Sequence, residues 1–190
     1  MDDADEALYV ARTLSMSPLP MGNRVCIITF SGGGGAQAAD LCYENGLTVP
    51  NLSEKTVSGI KAVSPPWMEI SNPLDIWPAG EKSGDIGSTY AEAIRLAQAD
   101  TNADIIMALV NISYAPITQS PDRERLAQAI EPPSTKPIVV SAIGSASDLE
   151  HYTQTLETIR VPVYPTVKSC VLALAGLWKY SAYRHQTKTT

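Results

Sequence analysis

The residues best placed for chemistry in this sequence are a serine and four glycines, Ser31 to Gly35, which follow a short apolar segment and precede a helical one. Glycines at the start of a helix leave backbone N–H groups open, and the helix dipole adds partial positive charge there. The alternative is a tight turn that needs glycine for its dihedral angles, but one or two glycines would satisfy that need. The run therefore predicts an anion-binding helix entrance formed by Ser31, Gly32, Gly33, Gly34 and Gly35.

The usual catalytic patterns are missing around this run. It lacks the Lys-Ser/Thr ending of a P-loop and the spacing of a G-x-G-x-x-G fingerprint. Ser31 is not in a G-x-S-x-G elbow. His151 and His185 both fall on predicted helices, without an Asp or Cys at a catalytic spacing. The sequence thus predicts no catalytic residue and no metal site in this chain.

Two further loops, 72–78 and 111–119, follow predicted strands and contain Asn72, Asp75 and Asn111. Ligands bind beyond the carboxyl ends of strands in open α/β sheets. The Asn72-Pro73 pair favours a fixed turn, from which Asp75 would project near the glycine run. An Asx-turn that only holds the backbone remains the alternative for Asp75.

Strands and helices must alternate along the chain to position these loops. The pattern predicts strands over 24–30, 47–49, 104–110, 136–142 and 161–164, with a weak one over 68–71. Helices are predicted over 4–15, from 36 to 45, from 54 to 64, and over 85–99, 121–131, 147–159 and 166–185. Such alternation implies right-handed crossovers and a parallel sheet. The predicted fold is a three-layer α/β domain, flavodoxin-like or Rossmann-like, over 23–165, between an N-terminal helix and linker (1–22) and a C-terminal helix and tail (166–190).

Composition narrows the function classes. The formal net charge of −6 argues against a general nucleic-acid binder and against an anionic membrane surface. The N-terminus opens with acids, unlike a signal peptide, and no apolar run approaches the about 20 residues of a membrane helix. The three cysteines lie in apolar contexts without ligand spacing, which predicts buried, reduced thiols in a cytoplasmic protein.

Several segments together resemble the last flavodoxin-like domain of ADP-forming acetyl-CoA synthetases, a group of NDP-forming acyl-CoA synthetases. The segments that carry the resemblance are 22–40, 44–47, 52–56, 72–78, 104–110, 136–140 and 161–164. Their order and spacing span nearly the whole chain. The sequence departs from the family at Gly34, where proline is common.

The resemblance implies a ligase that converts acid, CoA and ATP to acyl-CoA, ADP and phosphate through a phosphohistidine in another domain. This chain would supply the anion-stabilising helix entrance and no catalytic group. Asn72, Asp75 and Asn111 become candidates for contact with the acyl site or with another domain. CoA, ATP or ADP, and Mg would bind in the full, oligomeric assembly, beside a CoA-binding and phosphohistidine domain and an ATP-grasp domain. A non-catalytic binding or regulatory module with the same fold is the alternative.

Overall fold

The computed structural model describes residues 4–112, 123–130 and 134–187. Its five strands form one parallel sheet in the order β2-β1-β3-β4-β5, the order of flavodoxin-like folds. The strands are β1 (Val25–Thr29), β2 (Leu74–Asp75), β3 (Ile105–Asn111), β4 (Ile138–Ile143) and β5 (Val163–Tyr164). The predicted α/β fold class is confirmed. Most of the predicted loop 111–119, and the predicted start of the next helix, lie outside the described residues.

Helices cover both faces of the sheet, because side chains alternate between the faces along each strand. Val25 and Ile27 of β1 belong to one apolar core, whereas Cys26 and Ile28 belong to the other. The described helices are α1 (Ala4–Met16), α2 (Gly32–Glu44), α3 (Glu54–Val63), α4 (Trp77–Ser83), α5 (Ile86–Ala99), α6 (Arg123–Ile130), α7 (Ala146–Thr158) and α8 (Val167–Thr187). Helices α2 and α8 contribute to the first core, and α3, α5 and α7 to the second. The result is the predicted arrangement of three layers.

The edge beside β1 differs from the prediction. Residues 47–49 form only an isolated bridge between Thr48 and Arg24, and 68–71 form no strand. The side chain of Asn72 instead accepts a hydrogen bond from the N–H of Ile27 (3.0 Å) and donates one to the carbonyl of Val25 (2.8 Å). One amide side chain therefore satisfies β1 groups that a longer neighbouring strand would have paired with.

The N-terminal helix packs against the C-terminal one. A Cβ added to Gly176 of α8 would lie 2.3 Å from Cγ2 of Val10 in α1, so glycine is what allows this close approach. Arg12 donates to the carbonyl of Val163 in β5 (2.9 Å).

The division of the chain at 22/23 and at 165/166 remains a prediction. None of the described helices is long and apolar enough to cross a membrane.

All three cysteines are buried and none forms a disulfide. Burial raises the pKa of the Cys26 and Cys42 thiols to about 12. These thiols remain protonated near neutral pH and are poor nucleophiles, since the thiolate is the reactive form. The predicted burial is confirmed.

Candidate functional site

Helix α2 begins at Gly32, four residues earlier than the predicted start at Ala36. Ser31 is its N-cap, with extended dihedrals (φ −142°, ψ 118°), and its hydroxyl accepts a hydrogen bond from the N–H of Gly34 (3.3 Å). The N–H of Gly35 donates to the carbonyl of Ser31 (2.9 Å). The prediction of a loop over the glycines was therefore wrong: Ser31 caps the helix, and the four glycines form its first turn.

Backbone strain does not explain these four glycines, because none of them has a positive φ. A Cβ on Gly33 would meet only the hydroxyl oxygen of Ser31, at 4.0 Å, and on Gly34 or Gly32 it would make ordinary contacts. At Gly35 it would lie 2.9 Å from Cβ of Pro73. Packing thus requires glycine at 35, while each of the others lowers helix propensity by up to about 1 kcal/mol relative to alanine. What the first three positions gain is an entrance without side chains.

Two backbone donors are available at this entrance. The N–H groups of Gly32 and Gly33 precede the first intrahelical hydrogen bond, and neither has a partner among the described residues. Both glycines are exposed. Unpaired N–H groups and the positive end of the helix dipole together favour an approaching anion.

Thr29, which the sequence analysis did not identify as a site residue, fixes the position of Ser31 at the entrance. Its buried hydroxyl accepts a hydrogen bond from the N–H of Ser31 (3.0 Å) and donates to the carbonyl of the same residue (2.9 Å). The backbone carbonyl of Thr29 accepts from the N–H of Ile76 (2.8 Å). The available signal was a threonine next to the end of an otherwise apolar strand.

Asp75 lies beside the entrance. It pairs with Thr29 in the sheet, and its Oδ2 is 3.4 Å from the position of a Cβ added to Gly32. Its Oδ1 accepts a hydrogen bond from the N–H of Trp77 (3.1 Å). The structure therefore places Asp75 near the glycines, as expected, and also gives it the Asx-type contact that was the alternative.

The two asparagines occupy different positions. Both N–H groups of the Asn72 amide are used, because Nδ2 donates to the carbonyls of Val25 and Pro50 (2.8 and 2.9 Å). The Asn72 side chain thus holds the backbone of Val25, Ile27 and Pro50. It is not directed at the α2 entrance. Asn111 is half-buried at the carboxyl end of β3, paired with Ile143. Because β3 neighbours β1, Asn111 lies on the same edge of the sheet as Ser31.

The remaining titratable candidates lie elsewhere. His151 and His185 are exposed on α7 and α8. Within the described ranges, no cluster of His, Cys, Asp or Glu could hold a metal ion. The geometry at the α2 entrance therefore offers backbone N–H donors suited to an anionic group, beside the Asp75 carboxylate, whose negative charge opposes such a group.

Comparison with curated proteins gives relatives of one kind. The chain is 32% identical over 189 residues to the acetate–CoA ligase [ADP-forming] II of Archaeoglobus fulgidus, a match that covers 96% of this chain and 26% of the relative. It is 30% identical to subunit alpha of the acetate–CoA ligase [ADP-forming] II of Pyrococcus furiosus, covering 91% of the chain and 37% of that subunit. The chain therefore spans between about a quarter and two fifths of the length of these relatives.

Solved structures share the fold. A protein from Pyrococcus horikoshii OT3 superposes with a TM-score of 0.83 at 28% identity, over 96% of this chain and 41% of that one. The apo form of the dinucleotide forming acetyl-coenzyme A synthetase 1 of Ca. Korarchaeum cryptofilum gives 0.82 at 24% identity, over 97% and 39%, respectively. The model of the Ligase-CoA domain family matches residues 25–188, from the first strand into the last helix. With nearly all of its fold inside that match, the chain belongs to the Ligase-CoA domain family.

Proposed function

We propose that this chain is the Ligase-CoA domain of an NDP-forming acyl-CoA synthetase, in which the α2 entrance stabilises a phosphoryl group presented by another domain. The reaction would convert acid, CoA and ATP to acyl-CoA, ADP and phosphate. The observation that carries the proposal is the first turn of α2. Three of its glycines are required neither by φ nor by packing, and they leave two N–H donors open.

The division of labour follows from what the entrance contains. Gly32 and Gly33 contribute donors, and Ser31 contributes a hydroxyl that already caps the helix. The Asp75 carboxylate is the one titratable side chain described beside these groups, and His151 and His185 are exposed on α7 and α8. The proposed phosphoryl-carrying histidine therefore belongs to a partner domain. Charge-assisted hydrogen bonds from such donors contribute about 1.5–3 kcal/mol each. Donors fixed before the reaction stabilise charge without reorganising.

The full assembly supplies the other components. CoA, ATP or ADP, and Mg would bind to a CoA-binding and phosphohistidine domain and to an ATP-grasp domain, in a cytoplasmic and oligomeric enzyme. Support comes from the relatives, which are named as ADP-forming acetate–CoA ligases and are much longer than this chain. Asp75 and Asn111, on the same edge as the α2 entrance, are proposed to contact the acyl site or the partner domain. Asn72 would act there only through the backbone that it holds.

A coupled assay tests the assignment. The purified 190-residue chain, given acetate, CoA, ATP and Mg, should form no acetyl-CoA. The full-length enzyme should form it, and a version of that enzyme without this domain should not. Turnover by the chain alone would refute the proposed division of labour. Full activity without the domain would favour a regulatory module instead.

A further inference from the structure

A cavity of about 320 Å³ opens at the amino ends of β4 and β5. The entrance of α2 lies at the carboxyl ends of the strands, so the cavity is at the opposite edge of the sheet. Its walls come from the segment after α1, the end of α6, the start of β4 and the turn between α7 and β5. The volume falls within the range of about 300–1,000 Å³ that is usual for small-molecule sites.

The lining is apolar with a cationic rim. Ile138 and Ile159 are among its apolar side chains, Lys136 and Arg160 are its charged ones, and none of the lining residues that the structure describes is acidic. This bias stands out in a chain whose net charge is −6. Apolar walls with a few convergent polar groups are the usual composition of a ligand site.

Lys136 and Arg160 each have more N–H donors than the hydrogen bonds that they make to the protein. Arg160 donates from Nε to the carbonyl of Met16 (3.1 Å) and from Nη2 to that of Ser15 (3.0 Å). A guanidinium carries five N–H groups. The two hydrogen bonds therefore fix the orientation of the guanidinium and leave three N–H groups available. Lys136 donates to the carbonyls of Ala97 and Asp100, which leaves one N–H of its three.

The carboxylates near Lys136 are engaged elsewhere. Burial lowers the pKa of Lys136, and the negative charges of Asp100 and Asp104 oppose that shift. The Asp100 carboxylate accepts hydrogen bonds from the N–H and the hydroxyl of Ser53, both at 2.9 Å, while Asp104 pairs with Arg24. An additional anion in the cavity would therefore stabilise a partly desolvated ammonium group.

A third polar group lies in the cavity wall. Ser17 lines the cavity, is only 8% exposed, and its hydroxyl has no hydrogen-bond partner in the described part of the chain. Buried hydroxyls are nearly always paired, and an unpaired one calls for a missing partner. The oxygen itself has almost no accessible surface, so Ser17 is an unpaired group in the cavity wall and not a ligand contact.

From this combination we infer that the cavity binds an organic monocarboxylate, with its carboxylate at Lys136 and Arg160 and an aliphatic body of several carbons against Ile138 and Ile159. The site is separate from the α2 entrance and does not depend on the proposed function.

The test uses hexanoate and its neutral analogue hexanamide with the ¹⁵N-labelled 190-residue chain. Hexanoate should shift the amide signals of Ile138 and Val161 with a Kd below about 1 mM, and hexanamide should bind at least about tenfold more weakly. Arg160→Gln removes one charge at an exposed position, and Ile159→Trp fills the cavity. Each should weaken hexanoate binding at least about tenfold.

Circular dichroism checks that the variants fold. If Ile159→Trp does not fold, Arg160→Gln and the hexanamide comparison still decide the question. Equal affinity for hexanoate and hexanamide, or unchanged binding by folded Arg160→Gln, would overturn the inference. So would the absence of any shift at tens of millimolar hexanoate. Shifts confined to Gly32 and Gly33 would assign the binding to the α2 entrance and overturn it as well.

Discussion

Replacing Gly33 by alanine should make this protein more stable and its α2 entrance less functional. The added Cβ would meet only the Ser31 hydroxyl, at 4.0 Å, so nothing must move to accommodate it. Alanine is favoured over glycine within a helix by about 0.5–1 kcal/mol. For a chain of 190 residues, that gain raises the melting temperature by about 1–4 °C.

The same methyl group should interfere with an anion. Cα–Cβ bonds in a helix tilt toward its N-terminus, so the methyl on residue 33 leans toward the entrance where the N–H groups of Gly32 and Gly33 are open. Weakening one charge-assisted hydrogen bond costs about 1.5–3 kcal/mol. A loss of only 1.4 kcal/mol already lowers a rate about tenfold. Phosphoryl transfer in the full-length enzyme should therefore fall at least about tenfold, and further with the bulkier Gly33→Val.

The assay pairs two measurements on each protein. Thermal unfolding gives the stability, and rapid-quench transfer from ATP to the partner histidine gives the rate. Ser58→Ala is the matched control, because Ser58 is exposed within α3 and its replacement also raises helix propensity. It should increase stability and leave the transfer rate unchanged. A stabilised Gly33→Ala enzyme with the wild-type rate would reduce the glycine turn to a structural element. A destabilised one would refute the assigned start of α2.

Three further outcomes are expected. Gly35→Ala places a Cβ 2.9 Å from Cβ of Pro73 and should destabilise the chain by about 1–3 kcal/mol through overpacking. This effect on stability is opposite in sign to that of Gly33→Ala. An unchanged midpoint of urea unfolding would show that Pro73 moves easily. Asp75→Asn should lower turnover of the full-length enzyme with a nearly unchanged melting temperature, whereas equal losses of both would favour a purely structural Asx contact. The hydrogen bond from the Arg24 side chain, opposed by burial, lowers the pKa of Asp104 below its ordinary 3.8. The contribution of the Arg24–Asp104 ion pair to the free energy of unfolding is therefore present above that value and lost as pH falls through the folded pKa. Asp104→Asn should reduce the free energy of unfolding at pH 7 and make it depend less on pH in acid. The same acid dependence in the variant and the wild type would argue against this ion pair.

Local sequence determined the parallel α/β fold. The apolar runs now seen as β1, β3 and β4 are buried along nearly their whole length, and runs of that kind between helices fit only a sheet covered on both faces. The run from Ser31 to Gly35 also predicted a helix entrance, because open N–H groups at the start of a helix depend on neighbouring residues alone. These features were predictable since they involve interactions short in sequence.

The tertiary structure decided where α2 starts and how the edge beside β1 is built. Glycine is a poor helix former, so propensity placed the helix start at Ala36. The cap of Ser31 and the contact of Gly35 with Pro73, which is distant in sequence, allow helix from Gly32 onward. The Asn72 amide takes up backbone groups of β1 45 and 47 residues away in sequence. No local sequence pattern predicts these hydrogen bonds, because they join distant segments and form only when the sheet is assembled. The same assembly brings Asp75 to the α2 entrance, a juxtaposition that the sequence could suggest and only the register of β2 against β1 could fix.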